Sequence, residues 1–361
     1  MRQKSIVHIL SLAITLLSLP FLHAATAPQC AQRDRSVKVM TRNLDAGSDF
    51  GYVLQAASNP DPTQLLLAIT YTFQEMVNSN IPQRAKLIAN EIHFAQPDLI
   101  GLQEITTLRT GTYGHPADTV VVDGLQSLRQ ELAARGLHYK AIAVQTNAVV
   151  DLPALDSSGN LITVGFTDYD AILARTDLPV SDFKLSNIAM QHFTAVLSFT
   201  VAEQSIPFLR GWISVDVKDR GKQYRFVTTH METFSPDIQA MQTEELLAGP
   251  LMADIPVILA GDLNSDANQP SWANGPAFGI LQAAGARDVW SHLRNIPGLT
   301  WPLFAEDPPR PANLLQRIDL VLTLGKGLRD AKIARTGVLP TTTGAWGSDH
   351  TGVVAKFVVL P

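Results

Sequence analysis

The sequence has little with which to brace itself covalently or to grip a polyanion. One of its 361 residues is cysteine, Cys30, so no internal disulfide can form. Aromatic residues make up 7% and charged residues 17%, and there is no continuous run of lysine and arginine, internal repeat or low-complexity tract. Set against 46% hydrophobic residues, these absences exclude a disordered chain, a collagen-like chain and a disulfide scaffold. What remains is a globular chain long enough to bury a large core, as one big domain or two of ordinary size. Its 28 lysines and arginines are outnumbered by 33 aspartates and glutamates. A domain built to hold a nucleic-acid backbone by counterion release is usually basic, and this one is not.

The first residues are set aside from the fold. Arg2 and Lys4 precede an uncharged, mostly apolar run from Ile6 to Leu22, followed by the small residues Ala24, Ala25 and Ala27. This predicts a secretory signal peptide over 1–24 and a secreted or periplasmic protein; an uncleaved anchor is the alternative, for which the run is short. Removal of 1–24 takes away two bases and no acids, so 26 bases face 33 acids and the mature net charge is −7.

Along the rest of the chain short apolar strands run into polar residues. Ser36 to Thr41 alternates Val37 and Val39 with polar neighbours and ends at Asn43. Ala85, Ile88, Ala89 and Ile92 mark a helix over 83–95 that Pro97 stops, and Leu99 to Leu102 then delivers Gln103 and Glu104. A second helix spans 123–135. Asp170 opens an apolar run to Arg175. Residues 213–217 and 224–229 flank a turn at Arg220-Gly221-Lys222 and predict a hairpin ending at His230. Val257 to Ala260 leads into Gly261-Asp262-Leu263-Asn264, Arg317-Ile318-Asp319 opens Leu320 to Leu322, and Ser348-Asp349-His350 precedes a closing strand over 353–359. Mixed hairpins and helical crossovers predict an α+β fold of two packed sheets with helices outside. The proline-rich pieces at 59–62 and 306–311 read as loops, not linkers, so 25–361 is expected to be a single domain.

Taken one at a time, an aspartate at a strand end is most often a turn or capping residue and a lone histidine a satisfied side chain. Together, Asn43, Glu104, Asp170, His230, Asp262, Asn264, Asp319, Asp349 and His350 have few structural uses. Hard oxygen donors suit Mg²⁺ or Mn²⁺. No thiolate pair or His-x-x-x-His spacing supports zinc. Two histidines with carboxylates to fix their tautomers suit charge stabilisation or proton transfer, and the set fits metal-assisted phosphoester hydrolysis.

Thr41-Arg42-Asn43, Leu102-Gln103-Glu104, Thr229-His230, Gly261-Asp262-Leu263-Asn264, Arg317-Ile318-Asp319 and Ser348-Asp349-His350, in this order, resemble the endonuclease/exonuclease/phosphatase superfamily over nearly the whole mature chain. The resemblance implies a four-layer α/β/β/α sandwich with the active site at one edge of the sheet pair. It implies that Asn43, Glu104 and Asp349 hold Mg²⁺ and that Asp262 orients or deprotonates water. Asn264 would grip the phosphate, while His230 and His350, the latter oriented by Asp319, stabilise the developing charge. Asp170, or Asp168, would support His230, with a tight-turn role as the alternative. The substrate is a phosphoester, nucleic acid or phospholipid. Nucleases are the common case in the family; the acidic balance and an apolar insertion weigh against one. A sphingomyelinase-like or small-molecule phosphoesterase is the alternative, and a non-catalytic binding module a more distant one. A monomer is expected.

The insertion lies among the 60 residues between Asn43 and Glu104, where Leu65 to Ile69 is followed by Tyr71, Phe73, Met76 and Val77. It predicts an extra helix of about 13 residues near 60–80, too short to cross a bilayer. Packing on the sandwich is one reading; a lid or lipid-contacting element is the other.

Overall fold

The computed structural model describes residues 36–59, 61–201, 204–303, 313–340 and 345–360. The predicted signal segment 1–24, Cys30 and the proline-rich stretch 306–311 lie outside the described residues. In chain order the elements are β1 (Ser36–Asn43), α1 (Gly51–Ala56), α2 (Pro62–Asn78), α3 (Ile81–Ala95), β2 (Leu99–Thr112), β3 (Thr119–Asp123), α4 (Gly124–Ala134), β4 (Tyr139–Leu155), β5 (Leu161–Arg175), β6 (Phe183–His192), β7 (Leu197–Val201), β8 (Gln204–Phe208), β9 (Gly211–Asp219) and β10 (Lys222–His230). They continue with α5 (Pro236–Ala248), β11 (Val257–Asp262), α6 (Ala277–Ala283), β12 (Arg287–Asp288), α7 (Val289–Leu293), β13 (Asp319–Leu324), β14 (Leu328–Thr336) and β15 (Gly352–Val359).

Two large sheets form from these strands, and β7 and β8 pair as a separate two-stranded ribbon. One has the order β14-β15-β1-β2-β5-β4, with β3 on the far half of β2, and the other β12-β13-β11-β10-β9-β6. Each sheet has one parallel pair near its middle, β1 with β2 and β10 with β11, and is otherwise antiparallel. Strand alternation separates the faces. Val37, Val39, Leu99 and Ile172 meet Ile213, Val215, Phe226, Ile258 and Val321 between the sheets. On the opposite face Met40, Ile100, Leu102 and Leu173 pack under Ala85, Ile88, Ala89 and Ile92 of α3 and Leu128 and Leu132 of α4. Val227, Leu259 and Leu320 pack under Leu246 of α5 and Phe278 and Leu281 of α6. Helix, sheet, sheet and helix thus make four layers. The inner strand β11 is buried at all six positions, as expected where both faces are covered. The sheets approach closely at Gly101, where a Cβ would fall 2.2 Å from Thr228 Oγ1 of the facing sheet, so a larger residue would force them apart.

The insertion is longer than the sequence suggests. The helix α2 has 17 residues; Asp61 caps it by accepting from Thr63 N, and Pro62 occupies its first turn, where a missing N–H costs nothing. It packs through Ile69 and Phe73 on the far half of the β4–β5 hairpin, and Thr70 Oγ1 accepts from Leu155 N at 2.9 Å. Among the described residues no helix is long and apolar enough to cross a membrane.

Candidate active site

Parallel and antiparallel registers bring the polar strand ends to one edge of the sandwich. His230 pairs with Asp262 across β10 and β11, Asp262 with Asp319 across β11 and β13, and Asn43 with Gln103 across β1 and β2. Much of each motif is a clamp. Arg42 is fully buried, donates from Nε and Nη2 to the two oxygens of Glu91 on α3 (3.1 and 2.9 Å), and from Nη1 to the carbonyls of Asn43 and His350. Gln103 accepts from Thr41 Oγ1 and donates to Thr228 Oγ1, joining the two sheets beneath the site. Arg317 pairs through two nitrogens with Asp288, fixing the entry to Asp319. Breaking such a buried pair leaves an uncompensated charge and costs about 3–5 kcal/mol.

Glu104 is aimed by a local distortion. The ladder between β2 and β5 slips between Leu102 and Ile105, and Glu104 has φ 55°, a left-handed conformation that costs a non-glycine residue about 1 kcal/mol. The bulge turns the carboxylate out of the sheet, where Asn43 Nδ2 donates to Oε1 at 2.8 Å and Ala46 N to Oε2 at 2.9 Å. The loop supplying Ala46 is held in turn by Arg84 of α3, which donates to Asp45 Oδ2 and to the carbonyls of Leu44 and Asp45.

Asp262 sits at the centre. Its Oδ2 accepts from Asn43 Nδ2 at 3.0 Å and lies 3.7 Å from His230 Nε2 and 3.8 Å from His350 Nε2; its Oδ1 accepts from Asn264 N. Burial, with Asp319 close by, raises its pKa to about 6 against the pull of His350. Asp349 lines the wall, accepts from Trp301 Nε1 at 3.1 Å, and is raised to about 7 by burial and by the Asp45 and Glu104 carboxylates. Carboxylates that resist ionisation because they are buried, and beside one another, are a donor set that a cation would stabilise. Glu104 and Asp262 each present a carboxylate oxygen within 4.8 Å of the other, with Asn43 Nδ2 bonded to both side chains. The residues present therefore fit a divalent cation.

The two histidines are held differently. His350 Nδ1 donates to Asp319 Oδ2 at 2.8 Å; burial opposes its charge, but Asp319, Asp349 and Asp262 outweigh burial and push its pKa well above the ordinary value. His230 Nδ1 instead accepts from Arg210 Nη1 at 2.8 Å. A guanidinium cannot accept, so the ring proton of His230 resides on Nε2, facing Asp262 and Glu104. Burial, then Arg210 and His350, lowers its pKa well below the ordinary value. Neither Asp168 nor Asp170 hydrogen-bonds His230, so the support expected from Asp170 is not what the structure shows. These two buried carboxylates lie behind Arg210. Asn147 donates to Asp168 at 3.2 Å, and burial raises Asp168 to about 6 and, with Asp168 beside it, Asp170 well above the ordinary range.

Seven of the nine sequence-predicted residues, Asn43, Glu104, His230, Asp262, Asp319, Asp349 and His350, meet around one point. Asn264 borders it with φ 46° and spends its Nδ2 on Met231 O, leaving only its side-chain oxygen to the cavity. Asp170 stands behind. Sequence reasoning missed Arg210 as a partner of His230; the signal available was its place one residue before the strand that pairs Gly211 with His230. The site opens into a cavity of about 720 Å³ that continues past Glu104 between α1–α2, β4–β5 and β7–β8.

Comparison with known proteins agrees with this fold. The chain resembles the endonuclease/exonuclease/phosphatase from Bacteroides vulgatus at 15% identity and a TM-score of 0.55, over 90% of this chain and 99% of that one. It resembles the corresponding protein from Beutenbergia cavernae at 20% identity and 0.55, over 90% and 72%. It also resembles D. rerio TDP2 complexed with single strand DNA product at 17% and 0.52, over 90% and 99%. These likenesses establish the fold. No curated protein sequence matches. Members of the family are generally hydrolytic phosphoesterases. The model of the Endonuclease/Exonuclease/phosphatase family matches residues 77–350, and the chain belongs to that family.

Proposed function

We propose that this protein is a metal-dependent phosphodiesterase, secreted or periplasmic and acting as a monomer, with Mg²⁺ or Mn²⁺ as its ion. The observation that carries the reading is Asp262, a carboxylate bonded to Asn43 and facing both histidines and Glu104 across one cavity. Glu104, Asn43 and Asp349 would hold the ion, which when bound supplies charge neutralisation at the phosphate. Asp262 takes the proton of the attacking water. As the water oxygen bonds to phosphorus the ester P–O bond breaks, and the leaving oxygen receives its proton from His350, whose charge Asp319 sustains. Neutral His230 donates an Nε2–H hydrogen bond to a phosphoryl oxygen. No covalent nucleophile is needed, because phosphoryl transfer depends mainly on positioning and charge stabilisation.

A binding module on this scaffold would be free to lose Glu104, Asp262 or His350, and all three are in place. The test is hydrolysis of a chromogenic phosphodiester with Mg²⁺ or Mn²⁺, with chelated protein and Asp262→Asn as controls. Turnover abolished by both controls is expected; turnover indifferent to either would sink the reading.

A further inference from the structure

The cavity has two chemically different halves. The catalytic end is lined by Glu104, His230, Asp262 and His350; the other end is walled by Phe50, Phe73, Leu152, Phe166 and Phe208, all only partly buried, with Phe234 half exposed at the rim. Phe50 stands edge-on to Phe166 at 5.2 Å, and Phe208 to Phe234 at 6.2 Å. Phe73 and Leu152 belong to an apolar cluster with Val53 and Ile69 of the insertion, Ala154 and Val164 of the β4–β5 hairpin and Val201 of β7, and Phe50 and Phe166 join Phe73 in a second one with Met76 and Leu108. Elements outside the shared core of the two sheets therefore converge to shape one space beside the catalytic groups. Its charge is as specific as its shape. Among the described residues lining the cavity Arg210 is the only lysine or arginine, against seven aspartates and glutamates, and Arg210 is already engaged by His230.

We infer that the substrate carries a single phosphate esterified to a bulky, uncharged apolar group, and that this group seats against Phe50, Phe73, Leu152 and Phe208. This rests on the phosphodiesterase reading and names the substrate class for that site. A polynucleotide would bring further phosphates into a wall with no free cation to neutralise them. An alkyl or aryl substituent meets no such cost and removes from water the apolar surface that the wall leaves open. About 720 Å³ lies in the range that encloses a ligand much larger than a phosphate.

The experiment is a series of p-nitrophenyl alkyl phosphodiesters with methyl, hexyl and dodecyl chains, used as monomers with Mn²⁺, beside a single-stranded oligonucleotide of mixed sequence. A fully buried methylene is worth roughly fourfold, so partial burial predicts kcat/KM at least about tenfold higher for hexyl than for methyl. Phe208→Ala and Phe234→Ala, checked by circular dichroism to be folded, should each lower that hexyl-to-methyl ratio at least about threefold. A ratio near one in the wild type, with the methyl ester still hydrolysed, overturns the inference and leaves the phosphodiesterase reading standing. So does an oligonucleotide cut with a higher kcat/KM than the hexyl ester, or a ratio that neither variant changes. Failure to hydrolyse any diester with metal present takes down both.

Discussion

His230 and His350 approach the same carboxylate, Asp262, from 3.7 and 3.8 Å, yet their second ring nitrogens meet opposite charges. Behind His350 stands Asp319, which sustains an imidazolium; behind His230 stands Arg210, which forbids one. Two identical side chains are thereby given different work, one carrying a proton ready to leave and the other a fixed N–H. The lesson is that a histidine's task is set one residue further back than the residue facing the substrate.

Four measurements bear on that contrast. The largest effect is expected where both rings converge: Asp262→Asn or His350→Ala should lower kcat by at least about 10³-fold, about 4 kcal/mol, in protein that circular dichroism shows to be folded. Asp319→Asn should follow with about 10²-fold, and in the metal-free protein the NMR titration of His350 should move to lower pH; an unmoved titration would mean that Asp319 does not sustain its charge. Arg210→Met should cost about tenfold in kcat and let His230 titrate higher, with Arg210→Lys restoring part of the rate; equal activity of all three proteins would remove Arg210 from the contrast.

The smallest effect is on stability in the metal-free protein, with slopes of no more than about 1.4 kcal/mol per pH unit for one proton. The raised pKa of His350 gives stability that is complete below the unfolded value, near 6.5, and is lost as pH rises through the folded value. The lowered pKa of His230 works the other way, costing stability as pH falls below about 6.5, because the unfolded chain takes up a proton that the folded one refuses. Urea unfolding from pH 5 to 9 should therefore show His350→Gln closing on wild type at high pH and His230→Gln closing on it at low pH. Parallel profiles would erase the distinction.

The ends of β1, β10 and β11 and the start of β13 were legible because an apolar strand that meets a polar residue leaves a visible edge in the sequence, whereas β2 does not end at Glu104 but runs on past the bulge to Thr112. The family motifs then set Asn43, Glu104, Asp262, Asp319 and His350 in order. What could not be read was lateral. That Arg210 meets His230 depends on the β9–β10 register, and the outward turn of Glu104 depends on a one-residue slip against β5. Of the hairpin of β4 and β5 only the run from Asp170 to Arg175 was read, since its outer half alternates weakly and contains Pro153. Its apolar positions face the insertion and the cavity, not the sheet core. The insertion was visible as a greasy run, but its 17-residue extent was not, because Gln74, Glu75 and Asn78 end it on polar residues.

The first described strand lies between the second and the last: Ser36 is opposite Val358, and Arg42 grips the carbonyl of His350 across 308 residues. Asn43 and Glu104 leave the ribosome early, but His350 follows Arg42 by 308 residues. A polypeptide truncated before His350 therefore lacks one of the two imidazoles that face Asp262, and the cluster closes only when the strand that follows His350 docks against β1. Because Ser36 and Val358 end as neighbours, a permutant opened in the exposed turn around 157–160, with residues 36 and 360 joined by a short linker, keeps every strand pairing of that sheet within reach.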